Sequence, residues 1–181
     1  EPAALPPRER LPMGTVSFVF AVHNHQPVGN FDAVVTDAFE TCYRPFLATL
    51  ERFPDLKVVL HYSGPLYDWM EAHEPAFLER LAALCTRGQV ELLGGGYYEP
   101  ILSQVPAADA RGQMALMNRY LSGRFGVRPD GFWLTERVWE PTIPALVEEA
   151  GMSYTAVDET HLVAAGVPRG EIRNYYTTEH G

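Results

Sequence analysis

Five short apolar runs, each followed by a stretch of helical spacing, constrain this chain more than any other feature. They cover residues 16–22, 57–62, 89–93, 132–136 and 154–158. Between them, apolar residues recur at three and four positions, the repeat of a helix with one buried face. Phe39, Cys42, Tyr43, Phe46, Leu47 and Leu50 do so within 32–53, where Pro45 is expected to bend or split the helix. Phe77, Leu78, Leu81 and Leu84 do so after Pro75, with Gly88 as the stop; further helices are expected over 108–125 and from Pro141 to Gly151. Ser63 and Pro65 read as another helix start. Strands this short and this apolar suit a parallel sheet buried on both faces. The βαβαβαβαβ order therefore predicts an α/β protein with right-handed crossovers. A barrel arc and a doubly wound open sheet both satisfy the pattern.

Polar residues gather where the strands end. His23 and His25 follow the first strand, His61 and Ser63 end the second, and Glu99 lies in the loop after the third. Glu136 ends the fourth; Asp158, Glu159 and His161 follow the fifth. Both α/β architectures build their active sites at that edge. Glu136 sits among Phe132, Trp133 and Trp139, and a carboxylate among aromatic rings suits work at the anomeric carbon of a sugar. The plain alternative is a loop Glu paired with Arg137, although strand alternation would turn the two residues to opposite faces.

His23 and His25 are two apart on extended backbone and point the same way, so they suit either a metal such as zinc or the hydroxyls of a sugar. His61 and His73 read as core or loop residues. Gly94-Gly-Gly96 lacks the spacing of a phosphate loop and instead lets backbone pass close to something bulky, with Tyr97 and Tyr98 supplying surface. A net charge of -9 argues against nucleic acid. No apolar run reaches the roughly 20 residues of a membrane span, and no leader is visible, so a cytoplasmic protein is expected. Cys42 and Cys85 read as small buried hydrophobes.

His-Asn-His-Gln-Pro at 23–27, Gly88-Gln-Val-Glu-Leu92, Tyr98-Glu-Pro100 and Trp133-Leu-Thr-Glu-Arg-Val-Trp-Glu-Pro141 together resemble glycoside hydrolase family 57, in its 4-α-glucanotransferase and α-amylase branch. The likeness runs over residues 17–176. It implies an incomplete (β/α)7 barrel: residues 1–13 are a flexible tail, and 14–181 the N-terminal portion of the catalytic domain. It further implies that Glu136 is the nucleophile of a retaining enzyme acting on α-glucans. His23, His25, Tyr98, Glu99, Trp133, Trp139, Asp158 and His161 would contact the substrate, with no cofactor and no metal.

Where that family commonly has Asp-Asp-x-His, this chain has Asp158-Glu-Thr-His161. The family's acid/base Asp belongs to a later block, and nothing after His161 resembles it. The chain is therefore expected to be the first part of a longer enzyme, with open sheet edges that favour association. Two rivals are carried alongside. One is a metal-dependent carbohydrate deacetylase using His23, His25 and Asp158; the other is a glucan-binding fragment without activity.

Overall fold

The computed structural model describes residues 17–173 and 175–178. The expected N-terminal tail and His180 lie outside them. Among the described residues the strands are β1 (Ala21–Asn24), β2 (Val58–Tyr62), β3 (Val90–Leu92), β4 (Gly131–Phe132) and β5 (Tyr154–Thr155). The helices are α1 (Asp32–Ala38), α2 (Arg44–Arg52), α3 (Gly64–His73), α4 (Pro75–Thr86), α5 (Ala107–Phe125), α6 (Ile143–Glu149) and α7 (Glu159–Ala164).

β1, β2 and β3 pair in parallel in that order, and so do β4 and β5. Gly94, just past β3, joins the two sheets. Its N–H donates to Gly131 O at 2.8 Å, and its carbonyl accepts from Trp133 N at 2.9 Å. Strand order thus follows chain order with no reversal. A doubly wound sheet needs a reversal and a barrel wall does not, so the fold is an arc of a β/α barrel.

Two apolar clusters back this wall. Leu60, Tyr62, Leu66, Met70, Leu78, Leu81 and Leu92 belong to the first, between β1–β3 and α1–α5. Phe132, Leu134, Met114, Ile143, Leu146 and Met152 form the second, under β4.

Several strands differ from expectation. The first begins at Ala21 and runs on to Asn24, because His23 and Asn24 still find partners in His61 and Tyr62. Phe18 and Val19 stand exposed instead, outside the pairing with β2. The fourth and fifth strands shrink to two residues each, since each pairs with its neighbour over only that length.

The long helix is interrupted before Pro45 rather than at it. A π turn over Phe39–Tyr43 precedes α2, and Pro45 falls in the first turn of α2, where no N–H is required. Cys42 on that turn is exposed, not buried, while Cys85 is partly covered. Pro141 lies in a turn, and it is Pro144 that opens α6. Gly88 does stop α4, at φ +70°. Ser63 makes no side-chain cap; its hydroxyl turns to Gln26 instead.

Candidate active site

The carboxyl ends of the strands converge on a cluster of histidines around one carboxylate. Strand pairing sets the first two: His23 on β1 stands opposite His61 on β2, and their Nδ1 atoms lie 2.9 Å apart. Glu99 arrives from the loop after β3, in a turn closed by Glu99 N–H to Gly96 O at 3.0 Å. Its own φ is +51°, a conformation that costs an ordinary residue roughly 1–3 kcal/mol and needs surrounding contacts to hold it. His25 Nδ1 binds Glu99 Oε2, and His23 Nε2 lies 3.3 Å from Oε1. The carboxylate is only 4% exposed.

The glycines make this packing possible. A Cβ on Gly95 would come within 2.8 Å of His61 Nε2, and one on Gly96 within 2.7 Å of Pro100 Cδ. The bulky neighbour expected from the sequence is therefore the chain's own histidine and proline.

Glu136 arrives from the other sheet. The backbone leaves β4 at Phe132 and enters a 3-10 turn over Thr135–Arg137, with Glu136 and Arg137 both at φ +52°. Arg137 N–H to Leu134 O at 2.9 Å closes it. Strand alternation thus does not govern Glu136 and Arg137, contrary to expectation, because the strand has already ended. Nor does Arg137 pair with Glu136: its Nε donates to Asp158 Oδ1 at 2.8 Å, while its carbonyl lies 2.9 Å from His161 Nε2. Asp158 and His161 therefore brace the turn that carries Glu136.

Electrostatics link the two halves. Burial holds the Glu99 carboxyl above its usual range, and the nearby Glu136 charge adds to this, while His25 opposes it. His23 is lowered to about 4, first by burial and then by the charges of His25 and Arg137. His61 lies well below its usual value for the same leading reason. Both rings are therefore neutral at neutral pH.

Trp133 stacks on His23 with centroids 4.2 Å apart and planes 12° apart, so one of its faces is already covered. Trp139 packs partly against the second apolar cluster. Tyr98 is half exposed beside Tyr97, whose hydroxyl is tied to Asp68 at 2.6 Å.

Sequence reasoning placed His23, His25, Glu99 and Glu136 at one edge, and the fold brings them there. It missed His61, which is fully buried, as a core residue should be, and yet touches the site. Its position at the end of β2, in the same register as His23, was the available signal. His73 ends α3, stacked on Trp69 and away from the site.

His23, His25 and Glu99 each offer one ligand atom within 4.8 Å of the others, a set able to hold a metal ion. Asp158, the ligand expected from the sequence, is not in that set; Arg137 holds it instead. No helix among the described residues is long and apolar enough to cross a membrane.

The α-amylase of Pyrococcus furiosus is 43% identical over 166 residues, covering 92% of this chain and 25% of that protein. The 4-alpha-glucanotransferase of Thermococcus litoralis is 42% identical over 169 residues, 93% of this chain and 26% of that one. The crystal structure of the Thermococcus litoralis enzyme superposes with a TM-score of 0.84, over 87% of this chain and 25% of that one. The chain thus spans about a quarter of the length of these relatives. A family model matches residues 19–181. With the barrel arc and the converging strand ends, that match makes the assignment plain: the chain belongs to glycosyl hydrolase family 57.

Proposed function

We propose that this chain is the N-terminal catalytic segment of a retaining enzyme acting on α-1,4-glucans, with Glu136 as nucleophile. The observation that carries this reading is the left-handed turn at Glu136. It takes a carboxylate out of the strand and sets it within electrostatic reach of the His23–His25–Glu99 cluster.

In a retaining reaction a carboxylate oxygen attacks the anomeric carbon, the glycosidic C–O bond breaks, and a covalent glycosyl-enzyme forms. A second carboxyl group protonates the departing oxygen and then activates the acceptor. Transfer to another glucan hydroxyl gives a glucanotransferase, and transfer to water gives an amylase. The resemblance assigns the second carboxyl to an Asp of a later block. His23, His25, Tyr98, Glu99, Trp133 and Trp139 would hold the sugar. Asp158 and His161, placed with them from the sequence, also brace the Glu136 turn through Arg137.

A fluoride donor isolates the first step. Fluoride departs without a proton, so a 2-fluoro-maltosyl fluoride should label Glu136 without help from that acid: the C–O bond to Glu136 forms as the C–F bond breaks. Intact-mass and peptide mapping should find one maltosyl adduct on Glu136. Binding of maltooligosaccharide with no adduct would instead mark a glucan-binding segment.

One observation favours a second reading, the metal-dependent deacetylase: the His23–His25–Glu99 set lies within metal-ligand range. Two imidazoles and a carboxylate are a donor set that suits zinc, which would polarise an acetyl carbonyl there. Stoichiometric zinc on metal analysis, with acetyl-sugar hydrolysis lost to a chelator, would select it over the glucan reading.

A further inference from the structure

His61 touches no surface, yet it ends at the candidate site. Its Nδ1 lies 2.9 Å from Nδ1 of His23, and its Nε2 is buried with no hydrogen-bond partner. Gly95 fills the space beyond Nε2. Two Nδ1 atoms at that distance hold one proton between them, so in the neutral pair each ring carries one N–H and one bare nitrogen.

Two assignments satisfy the contact between the rings. In the first, His61 is protonated on Nε2 and accepts from His23 Nδ1–H. A buried N–H is then stranded without an acceptor, and the bare His23 Nε2 faces the carboxylate oxygen Glu99 Oε1, lone pair against lone pair. In the second, His61 Nδ1–H donates to His23 Nδ1, and His23 Nε2–H points toward Glu99 Oε1, 3.3 Å away. Only a bare nitrogen is then left alone. Orphaned buried N–H groups are the rarer and costlier defect, so the second assignment holds.

Glu99 Oε1 is buried and makes no well-aligned hydrogen bond, whereas Oε2 is taken by His25. We propose that His61 is a positioning residue of the glucan site. It locks His23 in the tautomer whose Nε2–H faces Glu99 Oε1, so that the carboxylate is held from that oxygen by His23 and from Oε2 by His25. The ligand in this proposal rests on the glucan reading; the tautomer does not.

The test is nitrogen NMR on the full chain labelled with 15N-histidine, with the His23 signals identified by their loss in His23→Gln. At pH 7 wild-type His23 should show a protonated Nε2 and a bare Nδ1. His61→Asn, whose amide N–H can stand where the ring Nδ1–H stood, should keep that pattern. His61→Phe should give a mixture, with maltooligosaccharide affinity by calorimetry falling about fivefold to tenfold and recovering in His61→Asn.

A wild-type His23 protonated at Nδ1, or an unchanged tautomer in His61→Phe, would overturn the proposal. Should His61→Phe fail to fold, His61→Asn decides: a His23 protonated at Nδ1 there overturns the role as well. If the tautomers behave as expected and no maltooligosaccharide binds, the glucan reading alone falls and the His61 assignment stands.

Discussion

The Arg137 guanidinium reaches Asp158 Oδ1 at 2.8 Å, so the residue after the candidate nucleophile is tied to the residue that precedes α7. Both side chains are about half exposed, and such pairs contribute only about 0–1 kcal/mol to stability. Their value to the molecule is geometric. Asp158→Asn should leave the thermal unfolding midpoint nearly unchanged while slowing fluoride-donor labelling of Glu136 about tenfold. Labelling at the wild-type rate would show that the turn holds its shape without the pair.

Glu136 itself stands at φ +52°, a conformation glycine adopts without penalty. Glu136→Gly removes that strain and also the charge that acts on Glu99. It should raise stability by about 1 kcal/mol, or about 2–4 °C in midpoint for a chain of this size, while abolishing labelling. Calorimetry on the two proteins checks it. A lower midpoint would mean that the side chain makes a stabilising contact outweighing the strain.

The sign of the pH dependence follows from His23. Its folded pKa, about 4, lies below the unfolded value near 6.5. The stability it contributes is complete above pH 6.5 and is lost as pH falls toward 4. Glu99 works the other way, because its raised pKa lets the folded state gain as that carboxyl takes up a proton. Comparing wild type with His23→Gln cancels most of the Glu99 effect. Across pH 6.5 to 4, wild type should lose roughly 2–3 kcal/mol more than the variant in urea melts. Parallel curves would show that His23 does not titrate in this way.

Gly95→Ala tests the close approach to His61. The added methyl would lie 2.8 Å from His61 Nε2, and the fully buried ring has little room to yield. A loss of about 1–3 kcal/mol is expected, as for other overpacked cores, together with weaker glucan binding as the His61–His23 contact loosens. Chemical denaturation and calorimetry measure the two effects separately.

Which of these features the sequence could announce depends on how local their causes are. The alternation of apolar runs and helices is a local property, and it correctly predicted a parallel β/α wall. The gathering of His23, His25, Glu99 and Glu136 at one edge was legible too, because each sits beside a recognisable strand end. The lengths of β4 and β5 were not announced, because pairing partners fix them, and those come from distant residues. The turn at Glu136 escaped for a related reason. Nothing in Leu134-Thr-Glu-Arg137 demands a positive φ, and tertiary contacts from Asp158 and His161 hold it there. His61 was hidden by its apolar neighbours, which made a buried histidine look like ordinary core.

Gly94 carries the one β-bridge between the three-stranded and two-stranded sheets among the described residues. The groups that would grip a sugar come mainly from one side of that seam, and the group that would attack it comes from the other. A slight slip along so slender a stitch would alter the distance from grip to attacker without disturbing either core. Gly94, with no side chain of its own, sets the gauge across which the chemistry must reach.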